Sequence, residues 1–499
     1  MRWPATMLAI LAVLAILSGP PGPAAAPAAA RGPAVTAATA EVTTADGASR
    51  FAPVTVQPVA ADTEAQVRIT LRPDERRQSM VGFGASMTES SAAVLRSLPG
   101  GDRAVLMNEL FAPGGLHLSV LRQPIGGSEF VAGTHYTLDD TDGSADPDLR
   151  RFSIRRDQVS VLPLVRKAAD LSGSMTVIAS PWSAPAWMKS NGSLVGGSLR
   201  ATPQIESAYA RYLARFVAAY RAQGVPVDYL TVQNEPEHRA PDYPGMVMDP
   251  EQQARVVAML GAMLDANGQD TRILGWDHNW SGGEQFVDRL LAGTAAAQVD
   301  GLAFHCYEGT PAAMAQVAGA TVDGVFLTEC SGSFSRGDRP AKVFADTLDW
   351  QARTLVLGAL KAGSRTLITW NLALDPDGGP RLGGCSTCTG VVTIDPATGQ
   401  VTRNAEYYVL GHLSRHVMPG AVRIGTTGAA NGVDGVAFDN PDGSTALVLY
   451  SSARGDRSVV IEHDGSSYQL TVPGRSLATV WWSPNRAARP RPGRRRPGG

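Results

Sequence analysis

Glu235 and Glu329 each end an apolar run that reads as a buried strand. The first run, 227–233, delivers Asn234-Glu235-Pro236, and the second, 324–328, delivers Glu329-Cys330-Ser331-Gly332. Two carboxyls presented at strand ends suit hydrolysis of a glycosidic bond with retention. One protonates the leaving oxygen while the other attacks the anomeric carbon from the opposite face. Pro236 cannot continue a ladder and helps fix the turn that presents Glu235. Glu235 is therefore the expected acid/base, its pKa raised by partial burial or by the second carboxylate. Glu329 is the expected nucleophile, kept ionised by donors such as Tyr307 or Arg122.

Groups able to hold a sugar recur at the other strand ends. Glu89 lies just past the first apolar run, Arg122 within the second, and Trp182 after the third. Asn234 adjoins Glu235, His305 and Tyr307 close the sixth run, and Trp370 with Asn371 closes the eighth. Flat aromatic faces cover the C–H surfaces of a sugar, and polar groups read its hydroxyls. The fifth run is the weakest, with Asp277, His278 and Glu284 read as loop residues near the rim. The residues offer no metal site. Glu237-His238 are adjacent residues pointing apart, and the acidic turn 139–143 lacks the rest of a calcium loop. Among four cysteines, Cys385 and Cys388 are spaced as a tight disulfide staple. Cys306 and Cys330 end consecutive strands, and their redox state is left open.

These residues need a scaffold that collects strand ends. Eight short apolar runs, 81–86, 118–125, 175–180, 229–233, 272–276, 301–305, 324–328 and 365–370, alternate with amphipathic stretches such as 205–223 and 250–267. The pattern predicts an α/β fold, a (β/α)8 TIM barrel spanning 76–403, with its active site at the C-terminal strand ends. No glycine-rich phosphate loop follows the first run, which argues against a doubly wound open sheet. After about residue 404 the alternation stops. Asp-Gly turns then separate strands at 445–450, 458–462 and 468–472, so 404–484 reads as a β-sandwich completed by N-terminal strands in 51–75.

The ends are of a different kind. Residues 1–30 have Arg2, an apolar stretch and then small residues, the layout of a signal peptide too short to span a membrane. An exported protein is expected, without a stable membrane span. Residues 31–50 read as a linker. Residues 485–499 hold six arginines, and without them the formal charge of −2 becomes −8. That acidic body is no nucleic-acid binder, and the tail is expected to be disordered.

Taken in order, the motifs resemble glycoside hydrolase family 30, the group of glucosylceramidases and microbial β-1,6-glucanases. The matching stretches are Gly82-Phe83-Gly84, Leu121-Arg122-Gln123-Pro124, Ser180-Pro181-Trp182, Gln233-Asn234-Glu235-Pro236, His305-Cys306-Tyr307, Thr328-Glu329 and Trp370-Asn371-Leu372-Ala373-Leu374. The resemblance implies a barrel with a side β-sandwich, acid/base Glu235, nucleophile Glu329, and a glucose subsite lined by Trp182, Asn234, Tyr307 and Trp370. It implies neither cofactor nor metal. It also implies that an acid at the Glu89 position reads outer hydroxyls, where glucosylceramidases carry Asp. The leading expectation is a secreted glucosylceramidase-type β-glucosidase acting on a β-glucoside or glucosylceramide. An endo-β-1,6-glucanase acting on β-glucan is the alternative, and a non-catalytic carbohydrate-binding protein a remote one. The aglycone, endo or exo action, and oligomeric state are not legible in the sequence.

Overall fold

The computed structural model describes residues 37–484. Eight parallel strands close into a barrel: Gly82–Ser86, Val120–Ile125, Thr176–Pro181, Tyr229–Thr231, Arg272–Asn279, Gly301–His305, Val325–Glu329 and Ser364–Thr369. They coincide with the eight apolar runs to within a few residues.

The interior is built in layers, as the period of two along each strand requires. Val120, Ile178, Tyr229, Leu274, Ala303, Phe326 and Ile368, one from each of strands two to eight, form a buried apolar layer. The first strand contributes Gly84, which pairs with both Val120 and Ile368. A side chain there would meet the Val120 carbonyl at 1.8 Å, so only glycine lets the first two strands approach this closely. Further up the strands the residue types change. Arg122, Ser180, Thr231, Asp277, His305 and Thr328 form a polar layer with almost no exposure, above the apolar floor and below the active-site mouth.

The chain ends build a ten-stranded antiparallel and mixed sheet around its own apolar core. Ala38–Thr44 pairs along its whole length with the last strand, Ser476–Trp482. This corrects the linker expected at 31–50, of which 37–50 is described. Alternating Val42 and Ala40 face the sandwich core, a signal too weak beside the surrounding alanines and threonines to read as a strand. Val67–Ser79 continues past residue 75, pairing with Val422–Thr427 and Arg457–His463, its kink at Pro73 accommodated by irregular register. The segment expected to be all β from 404 opens instead with a helix, Ala405–Ser414. It is buried on every side, and its His412 meets Thr479 and Thr43 at 2.9 and 3.0 Å, joining barrel to sandwich. The expected signal peptide at 1–30 and the tail at 485–499 lie outside the described residues, whereas no described helix is long and apolar enough to cross a membrane.

Candidate active site

A cavity of about 300 Å³ opens at the C-terminal end of the barrel, with Glu129, Trp182, Glu235, Tyr307, Glu329 and Trp370 in its wall. Glu329 ends the seventh strand. Glu235 follows the fourth with a positive φ of 48°, an unusual backbone conformation for a non-glycine residue. A carboxylate oxygen of each and a ring nitrogen of His305 all lie within 4.8 Å of one another. No other group of three or more His, Cys, Asp or Glu side chains among the described residues lies close enough to hold a metal. Each donor in it is already engaged: His305 Nδ1 with Glu235 at 3.1 Å, the Tyr307 hydroxyl with Glu329 Oε1 at 2.8 Å, and Arg122 with Glu329 Oε2.

Beneath the pair sits Asp277, fully buried. It accepts from Arg122 at 3.0 Å, Ser180 and Thr231 at 2.7 Å, Thr328 at 2.8 Å, and faces His305 Nε2 at 3.1 Å. Its fifth-strand backbone reaches this point through positive φ at Trp276 and Asp277, opposite a register shift in the sixth strand. Despite burial, Arg122 and His305 hold the Asp277 carboxyl far below its ordinary value. Burial works against a charged His305, but Glu329, Asp277 and Glu235 outweigh it and raise the imidazole to about 9.

The two carboxyls are shifted in opposite directions. Burial, with repulsion from Glu235, pushes Glu329 up in spite of His305 and Arg122. Burial also works to raise Glu235, but the hydrogen bond and charge of His305 leave it lowered. Glu235 is thus lowered rather than raised as expected from sequence, because His305 touches Glu235 more closely than it touches Glu329, at 3.1 against 3.9 Å.

Of the residues expected to bind substrate, Trp182, Asn234, Tyr307 and Trp370 line the cavity. The two tryptophans stack on each other at 5.0 Å and are almost fully buried, so little of either ring is open to the cavity. Arg122 and His305 do not reach the cavity. They lie under the carboxylates and bond to them, the Arg122 guanidinium also packing 4.9 Å from Trp182. Asn371 is turned away as well, its side-chain oxygen accepting from Thr88 at 2.8 Å. Glu89 is corrected most clearly. It starts the helix Glu89–Ser97, where its carboxylate is chelated by Arg156 at 2.7 Å on each oxygen and takes the Ala132 amide.

A further acid that reaches the cavity is Glu129, in the loop after the second strand. Trp370 Nε1 donates to its Oε1 at 2.9 Å, while its buried Oε2 has no partner. Burial and the Glu329 charge push its pKa up to about 8, so a neutral carboxylic acid faces the sugar site. Nothing in its local sequence, Gly127-Ser128-Glu129-Phe130, signals this. Both cysteine pairs are disulfides: Cys385–Cys388 at the cavity rim, and Cys306–Cys330 between the sixth and seventh strand ends.

The sequence matches the glycosyl hydrolase family 30 TIM-barrel domain over residues 80–417 and the family 30 beta sandwich domain over 420–480. The chain belongs to glycosyl hydrolase family 30. It is a retaining glycoside hydrolase, acting on O-glycosyl bonds. Among family 30 relatives it is 29% identical to endo-1,6-beta-D-glucanase BGN16.3 of Trichoderma harzianum, over 82% of this chain and 84% of that one. It is 26% identical to the lysosomal acid glucosylceramidase of Mus musculus, over 83% of each. The solved structure of the endo-beta1,6-glucanase BT3312 superposes with a TM-score of 0.82 at 30% identity, covering 89% of this chain and 99% of that one.

Proposed function

We propose that this family 30 hydrolase is a secreted endo-β-1,6-glucanase in which Glu235 is the acid/base and Glu329 the nucleophile. The observation that carries the mechanism is the close approach of the two carboxylates, within 4.8 Å. Retaining enzymes hold the pair about 5–5.5 Å apart, whereas inverting enzymes leave about 6.5–9.5 Å for a water.

The donors assign the roles. Glu329 is met by Arg122 and Tyr307, which stabilise it as an anion poised to attack. To act as the acid, Glu235 must carry a proton when the leaving oxygen lies against it. Glu235 then protonates that oxygen as the C–O bond breaks and Glu329 bonds to the anomeric carbon. In the second step Glu235, now a carboxylate, takes a proton from water. The hydroxide equivalent displaces Glu329, giving a sugar with its original configuration. Tyr307 and Arg122 recover the Glu329 charge as it leaves.

The β-1,6 specificity is supported by the three glucanase relatives at 29% identity, against 26–28% for the glucosylceramidase relatives, and by the 30% identity and TM-score of 0.82 to the endo-beta1,6-glucanase BT3312. Export is supported by the N-terminal sequence pattern and by two disulfides with no free cysteine among the described residues. The test is hydrolysis of β-1,6-glucan, β-1,3-glucan and glucosylceramide by the purified protein, with product size followed alongside reducing ends. Glucan size should collapse before free glucose accumulates. Turnover of glucosylceramide with the glucan untouched would contradict the reading.

A further inference from the structure

Tyr307 is 42% exposed and forms a wall common to two depressions. One is the catalytic cavity. The other, of about 400 Å³, is lined by Cys306, Ser331, Ser333, Asp346 and Trp350. Its size falls in the ~300–1,000 Å³ range of ligand clefts. Trp350 lies near the C-terminal end of the helix Pro340–Gln351 and is half-buried. Its indole N–H has no hydrogen-bond partner among the described residues. Asp346, one turn earlier on the same helix face, is exposed and is held at 2.9 Å by Lys342, itself solvent-accessible. Ser331 and Ser333 follow Glu329 closely in sequence, and the Cys306–Cys330 disulfide ties the floor to the strand ends that carry Tyr307 and Glu329.

An aromatic surface with a free donor, walled by hydroxyls and a carboxylate, is the chemistry that holds a pyranose ring. Continuity across Tyr307 names the occupant. We infer that the Trp350 depression is a sugar subsite, holding a further glucosyl unit of the β-glucan chain whose scissile bond lies between Glu235 and Glu329. The inference rests on the glucanase reading and gives it a physical basis, since cleavage within a chain needs binding beyond the catalytic cavity.

The experiment is a length series of β-1,6-linked gluco-oligosaccharides, dimer to hexamer, with kcat/KM measured at each length for wild type, Trp350→Ala, Trp350→Phe and Asp346→Ala. The wild type should gain efficiency with length. Trp350→Ala should lose roughly tenfold of that gain at the length that first reaches the depression, with a smaller change on the dimer. Trp350→Phe should recover most of it. Asp346→Ala, at an exposed position, should show the same length-dependent loss without touching the core, and so carries the test if Trp350→Ala folds poorly. Length profiles parallel to wild type in Asp346→Ala and in the folded Trp350 variants would overturn the subsite alone. A wild type that cleaves no member of the series would instead overturn the glucanase reading, and the subsite with it.

Discussion

The Cys306–Cys330 disulfide joins the residue before Tyr307 to the residue after Glu329. It therefore fixes a hydrogen-bond donor and the carboxylate it serves in one covalent frame. Replacing both cysteines with alanine should cost about 3 kcal/mol of stability, as expected for a closed loop of this size. It should also lower kcat more than it raises KM, because the 2.8 Å contact between Tyr307 and Glu329 loosens. Thermal unfolding with and without reductant, beside steady-state kinetics, checks both parts.

Glu129 holds its proton to about pH 8 in the folded chain, far above its ordinary value of 4.5. A raised carboxyl contributes stability that is complete below pH 4.5 and is lost as pH rises through about 8. Glu129→Gln, neutral at every pH, should therefore unfold at a higher temperature than wild type at pH 9, and at nearly the same temperature at pH 4. The same variant should lose about tenfold in kcat/KM on glucan, since an amide replaces the acid facing the sugar. Melting curves across pH and glucan kinetics measure this.

Asp277 keeps His305 charged and Arg122 in line. Asp277→Asn should reduce kcat/KM on the order of 10²-fold through misplacement of both cations. His305 is raised to about 9 partly by Asp277. Removing that anion lowers the His305 pKa, so the alkaline limb of the pH–rate profile should move toward lower pH. An unmoved limb with the same loss of rate would mean that Asp277 serves structure only.

The barrel was legible because each strand is a short apolar run between polar helices, and Glu235 and Glu329 were legible because each directly ends such a run. Asp277 was hidden for a physical reason. Its strand continues three residues beyond the last apolar one, through a positive-φ step that turns Asp277 under the site. Glu129 sits in a loop, where its carbonyl accepts from the Leu382 amide and its side chain lies against Gly384, and no local pattern encodes that. Glu89 was misread because its distance from the strand end suits a site residue. As the first residue of a helix capped by Thr88, however, its side chain swings out to Arg156. Arg122 and His305 were found as residues but misplaced as substrate contacts. Sequence gives their strand position but not the depth at which the polar layer lies.

The most direct measurement is trapping of the glycosyl-enzyme with a 2-deoxy-2-fluoro β-glucoside bearing a good leaving group, followed by peptide mapping. One sugar adduct is expected, on Glu329, turning over slowly in the presence of a glucan acceptor. An adduct on Glu235, on Glu129 or on no residue at all, in protein that hydrolyses glucan, would contradict the nucleophile assignment.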